Sequence, residues 1–170
     1  MSFANQMSMT VYLLILIACI YTDIRKRLIY NWVTFPGMVA GLLFSAVAGG
    51  QEALLGSITG IGLGFGLLLI PFLLRGVGAG DVKLLMVCGS FTGVSGVVFI
   101  FLVGSVLGFF GSIAMILRSG GQAGLSLTMA TIASGEFLRK KLPQIQKKDT
   151  IPYGVFYGLA GMIFPIRGVL

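Results

Sequence analysis

The chain has 170 residues and a net charge of +7, and 56% of its residues are hydrophobic while only 10% are charged. Soluble domains carry about 25% charged residues, so this composition excludes a water-soluble globular protein and predicts that lipid surrounds most of the chain. The basic residues stand in short clusters between apolar runs, which is a pattern of membrane topology and argues against nucleic acid as a partner.

Charge-free runs long enough to cross a bilayer follow one another along the chain, since a spanning helix needs about 20 apolar residues. They are residues 1–22, 28–51, 53–74, 84–117 and 150–166. As one helix the fourth run would measure about 50 Å, against a hydrocarbon core of about 30 Å. Its middle, "GSFTGVSG", offers a turn. The sequence therefore predicts an all-α membrane protein with about six transmembrane helices.

The first run is expected to remain in the protein as a helix, because its basic residues follow it instead of preceding it as in a signal peptide. Residues 1–170 are predicted to form a single integral-membrane domain with a polar loop at about 118–150. The loop segment "LSLTMATIASGEFLRKKL" places apolar residues roughly on one face, so it forms either an interfacial helix or a loose loop. These apolar residues are Leu125, Met129, Ile132 and Leu138.

Lysine and arginine predict the orientation, because cytoplasmic loops are enriched in both. Eleven of the twelve lie after span one, between spans three and four, and between spans five and six. Only Arg167 lies on the other side. These alternate loops are predicted to be cytoplasmic, which places both termini on the outer side of a multi-pass protein of the cell inner membrane.

Small residues recur every four positions in "GSITGIGLGFG", at Gly56, Gly60 and Gly64. Such a pattern lets helices approach closely in lipid, and a phosphate-binding loop would need a Lys-Ser or Lys-Thr ending that is absent. The two cysteines, Cys19 and Cys88, have no metal-ligand spacing and are expected to be small core residues.

Two of the five acidic residues stand where the bilayer meets the cytoplasm in this topology. Asp23 ends span one in "YTDIRKRLIYNW", and Asp81 opens span four in "GAGDVKLL". Ionisable residues at such positions are costly and are functional candidates by default. The other three acids, Glu52, Glu136 and Asp149, lie in polar loops.

Two carboxyl groups at one depth permit acid–base chemistry if they approach each other, because one stays protonated while the other is charged. The charged group can take a proton from water while the protonated group donates to a carbonyl oxygen. That chemistry needs no histidine, which the chain lacks, and no metal or cofactor is expected. The glycines beside Asp81 would let backbone approach closely. Alternatively, Asp23 pairs with Arg25 or Arg27, and Asp81 pairs with Lys83.

These motifs resemble the type IV prepilin peptidase family, membrane aspartic proteases with a GxGD signature. Residues 78–81 match GxGD, including Gly78 and Gly80, and the continuation through Lys83 matches as well. Asp23, Arg25, Ile29 and Asn31 match an Asp-x-Arg-x-x-x-Ile-x-Asn pattern, although the family commonly has proline where this chain has Tyr30. "IPYGVFYGLAG", with Pro152 and Gly154, resembles the opening of the family's last helix.

The resemblance implies that Asp23 and Asp81 are catalytic and that the substrates are prepilins or pseudopilins with a basic leader and an apolar helix. It also implies cleavage at the cytoplasmic face. Longer members carry a cysteine-containing domain near the start and methylate the new N-terminus. This chain reaches Asp23 after 22 residues, so we expect a short form without that domain.

Two other functions fit parts of the pattern. A presenilin-like GxGD protease usually places its first aspartate inside a helix after tyrosine, whereas Thr22 precedes Asp23 here. A small transporter or a non-catalytic assembly subunit would use the two acids for ion coupling, but no convincing inverted repeat is visible. The sequence indicates neither the particular pilin nor the oligomeric state.

Overall fold

The computed structural model describes residues 3–26, 28–74, 77–118 and 153–167, and these residues are helical apart from short connections. We number the helices α1 (Phe3–Lys26), α2 (Asn31–Leu73), α3 (Ala79–Arg118) and α4 (Tyr153–Arg167). In the described part of the chain, α1, α2 and α3 are long and apolar enough to cross a membrane, and α4 is a shorter apolar helix. The all-α prediction is confirmed for these residues.

Helix α2 reverses direction at Gly50. Its 43 residues would form a straight helix of about 65 Å, which is twice the thickness of the hydrocarbon core. Gly50 instead adopts φ 63° and ψ −147°, a region that is essentially restricted to glycine. Ser57 donates a hydrogen bond of 2.7 Å to Ser45, twelve residues away, so the two halves of α2 lie side by side.

Helix α3 has the same kind of break at Gly93, where φ is 66° and ψ is −163°. A Cβ on Gly89 would lie 2.8 Å from Val97 Cγ2, although eight residues of straight helix would separate the two residues by about 12 Å. The break falls inside "GSFTGVSG", where the sequence predicts a turn. Two reversals therefore divide the described residues into six helical segments.

Glycines of α2 pack directly on the backbone of α3. A Cβ on Gly60 would lie 2.5 Å from the carbonyl oxygen of Gly89, and one on Gly64 would lie 2.9 Å from that of Leu85. Both belong to the predicted four-residue repeat, so close packing is confirmed for them. Gly56 differs, since a Cβ there would meet nothing within 4 Å.

Helix α4 packs antiparallel on α1 through a second set of glycines. A Cβ on Gly158 would lie 2.5 Å from Ile20, and one on Gly161 would lie 2.8 Å from the hydroxyl of Tyr12. The Tyr12 hydroxyl also donates to the Gly161 carbonyl over 3.3 Å. Because later residues of α4 meet earlier residues of α1, the first turn of α4 lies beside the last turn of α1.

The core contains apolar side chains from α1, α2, α3 and α4, and Leu16, Leu68 and Leu84 have no exposed surface. Cys19 and Cys88 are both buried, as expected for core residues. Large apolar side chains also cover the outside, and Val47 is 78% exposed. An apolar exterior over an apolar core is the pattern of a protein solvated by lipid.

The chain divides into two compact units, one of Met1–Val106 with Pro152–Leu170 and one of Leu107–Ile151. Both aspartates lie in the first unit. The candidate interfacial helix in the polar loop lies outside the described residues, and the single-domain organisation stays a prediction.

Candidate active site

Asp23 is a buried carboxylate at the end of an apolar helix. It lies in the last turn of α1 and is 6% exposed. The following residues, Ile24 and Arg25, are exposed, so the burial belongs to the face of α1 that α4 covers. Burying a charged carboxylate is costly unless hydrogen bonds or an opposite charge compensate for the lost water. A buried acid at the edge of the membrane is therefore a candidate functional group.

Asp81 lies in the first turn of α3 and is 8% exposed. Its Oδ2 accepts a hydrogen bond of 3.1 Å from the backbone N–H of Gly78, while its own N–H donates to the Gly78 carbonyl over 3.1 Å. The side-chain bond is one half of a capping box, in which an acidic residue of the first turn satisfies the N–H of the residue before the helix, and the helix dipole favours a carboxylate there. The start of α3 thus fixes the orientation of the Asp81 side chain.

The two carboxylates meet over the bare Cα of Gly154, which is buried in the first turn of α4. A Cβ on Gly154 would lie 2.7 Å from Asp23 Oδ2 and 3.0 Å from Asp81 Oδ1. The two oxygens can be no farther apart than the sum of those distances. The backbone amide of Gly154 also interacts with the Asp81 carboxylate. The structure therefore brings together the two predicted acids and one of the predicted motif glycines.

Ile29 lies between the elements that carry this pair. Its Cδ1 lies 2.9 Å from the position of a Cβ on Gly154, and its Cβ lies 3.0 Å from that of a Cβ on Gly80. The flanking glycine of the GxGD motif thus admits a side chain of the α1–α2 connection. Ile29 belongs to the sequence motif around Asp23, but nothing in the sequence indicates that its side chain contacts both α3 and α4.

Lys83 contacts Asn31, and the two predicted motif residues are thereby brought together. The Lys83 Nζ donates a hydrogen bond of 2.7 Å to the Asn31 Oδ1 across 52 positions of sequence. The alternative in which Lys83 serves Asp81 as a simple ion-pair partner does not account for this contact. Asn31 is the first residue of α2, so the bond joins the start of α2 to the start of α3.

Arg25 is exposed, and its guanidinium carbon lies 5.6 Å from the centre of the Tyr21 ring. The stacking orients the arginine along its own helix. Lys26 donates 3.1 Å to the Tyr30 hydroxyl. Pro152 and Arg27, also named from the sequence, lie outside the described residues.

Tyr30 takes the position that the resembling family commonly gives to proline. Its φ of −79° and ψ of 135° are dihedrals that proline also adopts. Its carbonyl accepts the N–H groups of Val33 and Thr34, and Tyr30 is the N-cap of α2. The backbone of the connection therefore has a proline-like shape without the proline.

A pair of enclosed carboxyl groups beside a helix N-terminus can hold one proton between them and use it in acid–base chemistry. The described residues contain both acids, Gly154 beside them, and the Lys83–Asn31 contact.

Comparison with protein families gives a match over most of the described helices. Residues 10–113, more than half of the chain, match the model of the type IV leader peptidase family. The matched range includes Asp23 and Asp81 and ends before Gly154. Searches of curated protein sequences and of solved structures returned no significant match.

Proposed function

The chain belongs to the type IV leader peptidase family, and from this membership we propose that it is a membrane aspartic endopeptidase that removes the basic leader of prepilins or pseudopilins. Asp23 and Asp81 form its catalytic dyad. The family supports a leader-peptidase activity in general, and the arrangement of the two acids supports the aspartic mechanism.

The observation that carries the proposal is the approach of Asp23 Oδ2 and Asp81 Oδ1 over Gly154. Two acids that served only as boundary ion pairs would each face a basic side chain and would have no reason to meet. These acids come from helices α1 and α3, 58 positions apart in sequence, and a glycine leaves the space that they share. The chain has no histidine that could serve as the general base in their place.

The mechanism follows from a dyad with one proton. The ionised carboxylate accepts a proton from water, and the oxygen of that water forms a bond to the scissile carbonyl carbon. The protonated carboxyl group gives its proton to the carbonyl oxygen. When the tetrahedral intermediate collapses, the C–N bond breaks and the carboxyl group that took the proton of water gives it to the leaving amine. At the same time one hydroxyl of the gem-diol returns its proton to the other carboxylate as the new carboxyl group forms. One water is consumed, and the dyad returns to its original single proton.

The same proposal assigns supporting roles to the predicted motif residues. The Gly78 N–H orients the Asp81 carboxylate, and Gly80 leaves room for the Ile29 side chain. Gly154 has no side chain and so leaves room for both carboxylates. Arg25 and Pro152 belong to the same motifs, and we propose only that they shape the surroundings of the dyad.

We place the dyad at the cytoplasmic face of the inner membrane. The breaks at Gly50 and Gly93 support six membrane crossings, because each allows a helix pair to return to the side from which it came. With eleven of the twelve basic residues in alternate loops, both termini lie outside and both aspartates lie at the inner edge. A leader that remains in the cytoplasm would meet the dyad there.

The test is coexpression with substrates of the proposed kind, which carry a basic leader, then glycine, then about 20 apolar residues. Leader removal is followed by gel shift, and the new N-terminus is identified by sequencing. Cleavage directly after the glycine supports the proposal. An intact substrate, in cells where the protein is present in the membrane, contradicts it.

A further inference from the structure

The two aspartates are held by different helices, so something must fix the distance between the start of α3 and the end of α1. Asp23 is followed by the connection to α2, whose first residue is Asn31. Asp81 stands two residues before Lys83 in α3. The Lys83–Asn31 hydrogen bond, an exposed contact, therefore links the two sequence motifs across 52 positions of chain.

The residue type at position 83 is informative. Lys83 is the fifth residue of α3, beyond its first turn, and fixing a long lysine side chain in one contact costs conformational entropy. Its ammonium group nevertheless donates over 2.7 Å, which is at the short end of the range for charge-assisted hydrogen bonds. The hydrogen bond to Asn31 therefore gives a reason for a lysine at position 83.

A second contact at the same junction lies on the other side of Asp81. The Ile29 side chain lies 3.0 to 3.4 Å from the position that a Cβ would take on Gly80. Residues 29 and 31 therefore touch α3 immediately before and shortly after Asp81. An apolar contact and a charge-assisted contact hold the segment that carries Asp81 against the α1–α2 connection.

We propose that the Lys83–Asn31 hydrogen bond is a positioning device that sets the spacing of the two carboxylates. The role rests on the proposed function, since the spacing matters for a dyad that activates water. In this role Lys83 and Asn31 act through the positions of the two carboxylates and not through contact with the reacting atoms. Displacing a reacting group by about 1 Å can cost 10²-fold in rate, so breaking the bond should lower kcat and leave KM nearly unchanged.

The first experiment uses purified enzyme and a leader-containing substrate. Lys83→Met and Asn31→Ala should each lower kcat by about 10- to 100-fold, and the double variant should be no worse than either single. Lys83→Arg, which keeps a charged donor, should retain most of the activity. Lys26→Met is the matched control, because it removes an exposed lysine whose hydrogen bond to the Tyr30 hydroxyl joins α1 to the α1–α2 connection and does not involve α3. The control should cleave at the normal rate.

A second experiment tests the contact by replacing the hydrogen bond with a covalent link. Asn31→Cys and Lys83→Cys are combined in a chain whose Cys19 and Cys88 are replaced by serine. A short bis-methanethiosulfonate crosslinker, which forms a disulfide with each thiol and releases methanesulfinate, should join the two new cysteines and should raise kcat above that of the uncrosslinked variant. Failure to crosslink, or a crosslink that leaves kcat unchanged, overturns the proposal.

The outcomes separate this proposal from the proposed function. The positioning role is overturned by a normal kcat in Lys83→Met, by additive losses in the double variant, or by an effect confined to KM. In each of these cases a wild type that cleaves the substrate still supports the proposed peptidase function. A wild type that leaves the substrate intact overturns the proposed function and this role with it.

Discussion

Gly154 faces Asp23 so closely that a Cβ added to the glycine would lie 2.7 Å from the aspartate Oδ2. The same Cβ would lie 3.0 Å from Asp81 Oδ1, so a single methyl group would press on both carboxylates. The floor of the site is thus backbone, and its lack of a side chain is what lets the two acids share a space.

Gly154→Ala should therefore reduce leader cleavage by about 10²-fold, because the new methyl group would displace both acids. Alanine is favoured over glycine in a helix, so propensity alone predicts no loss of stability. Gly62→Ala is the matched control, since a Cβ there meets nothing within 4 Å. Cleavage assays with both variants at equal membrane levels decide the point, and equal rates would contradict the site geometry.

Tyr30→Pro should be tolerated. Tyr30 already has φ of −79° and ψ of 135°, which proline can adopt, and a proline that fits the native dihedrals reduces the entropy of the unfolded chain. The substitution removes the hydroxyl that accepts from Lys26, so Tyr30→Phe is the control for that loss. We expect the proline variant to cleave at least as well as the phenylalanine variant. A large loss with proline alone would mean that the connection has a different shape.

Gly60→Ala should destabilise the protein by about 1–3 kcal/mol, because overpacking forces the backbones of α2 and α3 apart. A Cβ on Gly60 would lie 2.5 Å from the Gly89 carbonyl oxygen, and backbone cannot rotate away as a side chain can. Gly66→Ala, which meets nothing within 4 Å, serves as the control. Thermal unfolding in detergent should show a lower midpoint for Gly60→Ala only, and matching midpoints would argue against the close packing.

The topology predicts where a cytoplasm-dependent reporter works. Fusions after Arg27, Gly76 and Lys141 should give signal, and a fusion after Gly50 should not. The reason is the placement of eleven of the twelve basic residues in alternate loops. A signal from the Gly50 fusion equal to that of the Lys141 fusion would rule out six crossings with the termini outside.

The sequence predicted the features that depend on local chemistry. Charge-free runs indicated the helices, the glycine-rich stretch contained the break at Gly93, and the four-residue spacing marked Gly60 and Gly64 as packing residues. Gly56 belongs to the same repeat, and its backbone lies near Gly93 of α3, but a Cβ on Gly56 would meet nothing within 4 Å. The spacing shows which residues share a face of the helix and not what lies opposite each of them.

The contacts between distant segments could not be read from one sequence. The short spacing in the sequence suggested that Lys83 forms an ion pair with Asp81, whereas in the fold Lys83 donates a hydrogen bond to Asn31. The contact of Ile29 with Gly80 and Gly154 depends on three elements that the chain places far apart. Motif resemblance named Gly154, but its place between the two acids follows only from the antiparallel packing of α4 on α1.

The most direct test of the dyad is leader cleavage by Asp23→Asn, Asp81→Asn and the double variant, each checked for its level in the membrane. Asparagine keeps the size of the side chain and removes the titrating group. If the two acids act as one unit, each single variant should lose nearly all activity and the double variant should be hardly worse. Near-normal cleavage by either single variant would contradict the dyad.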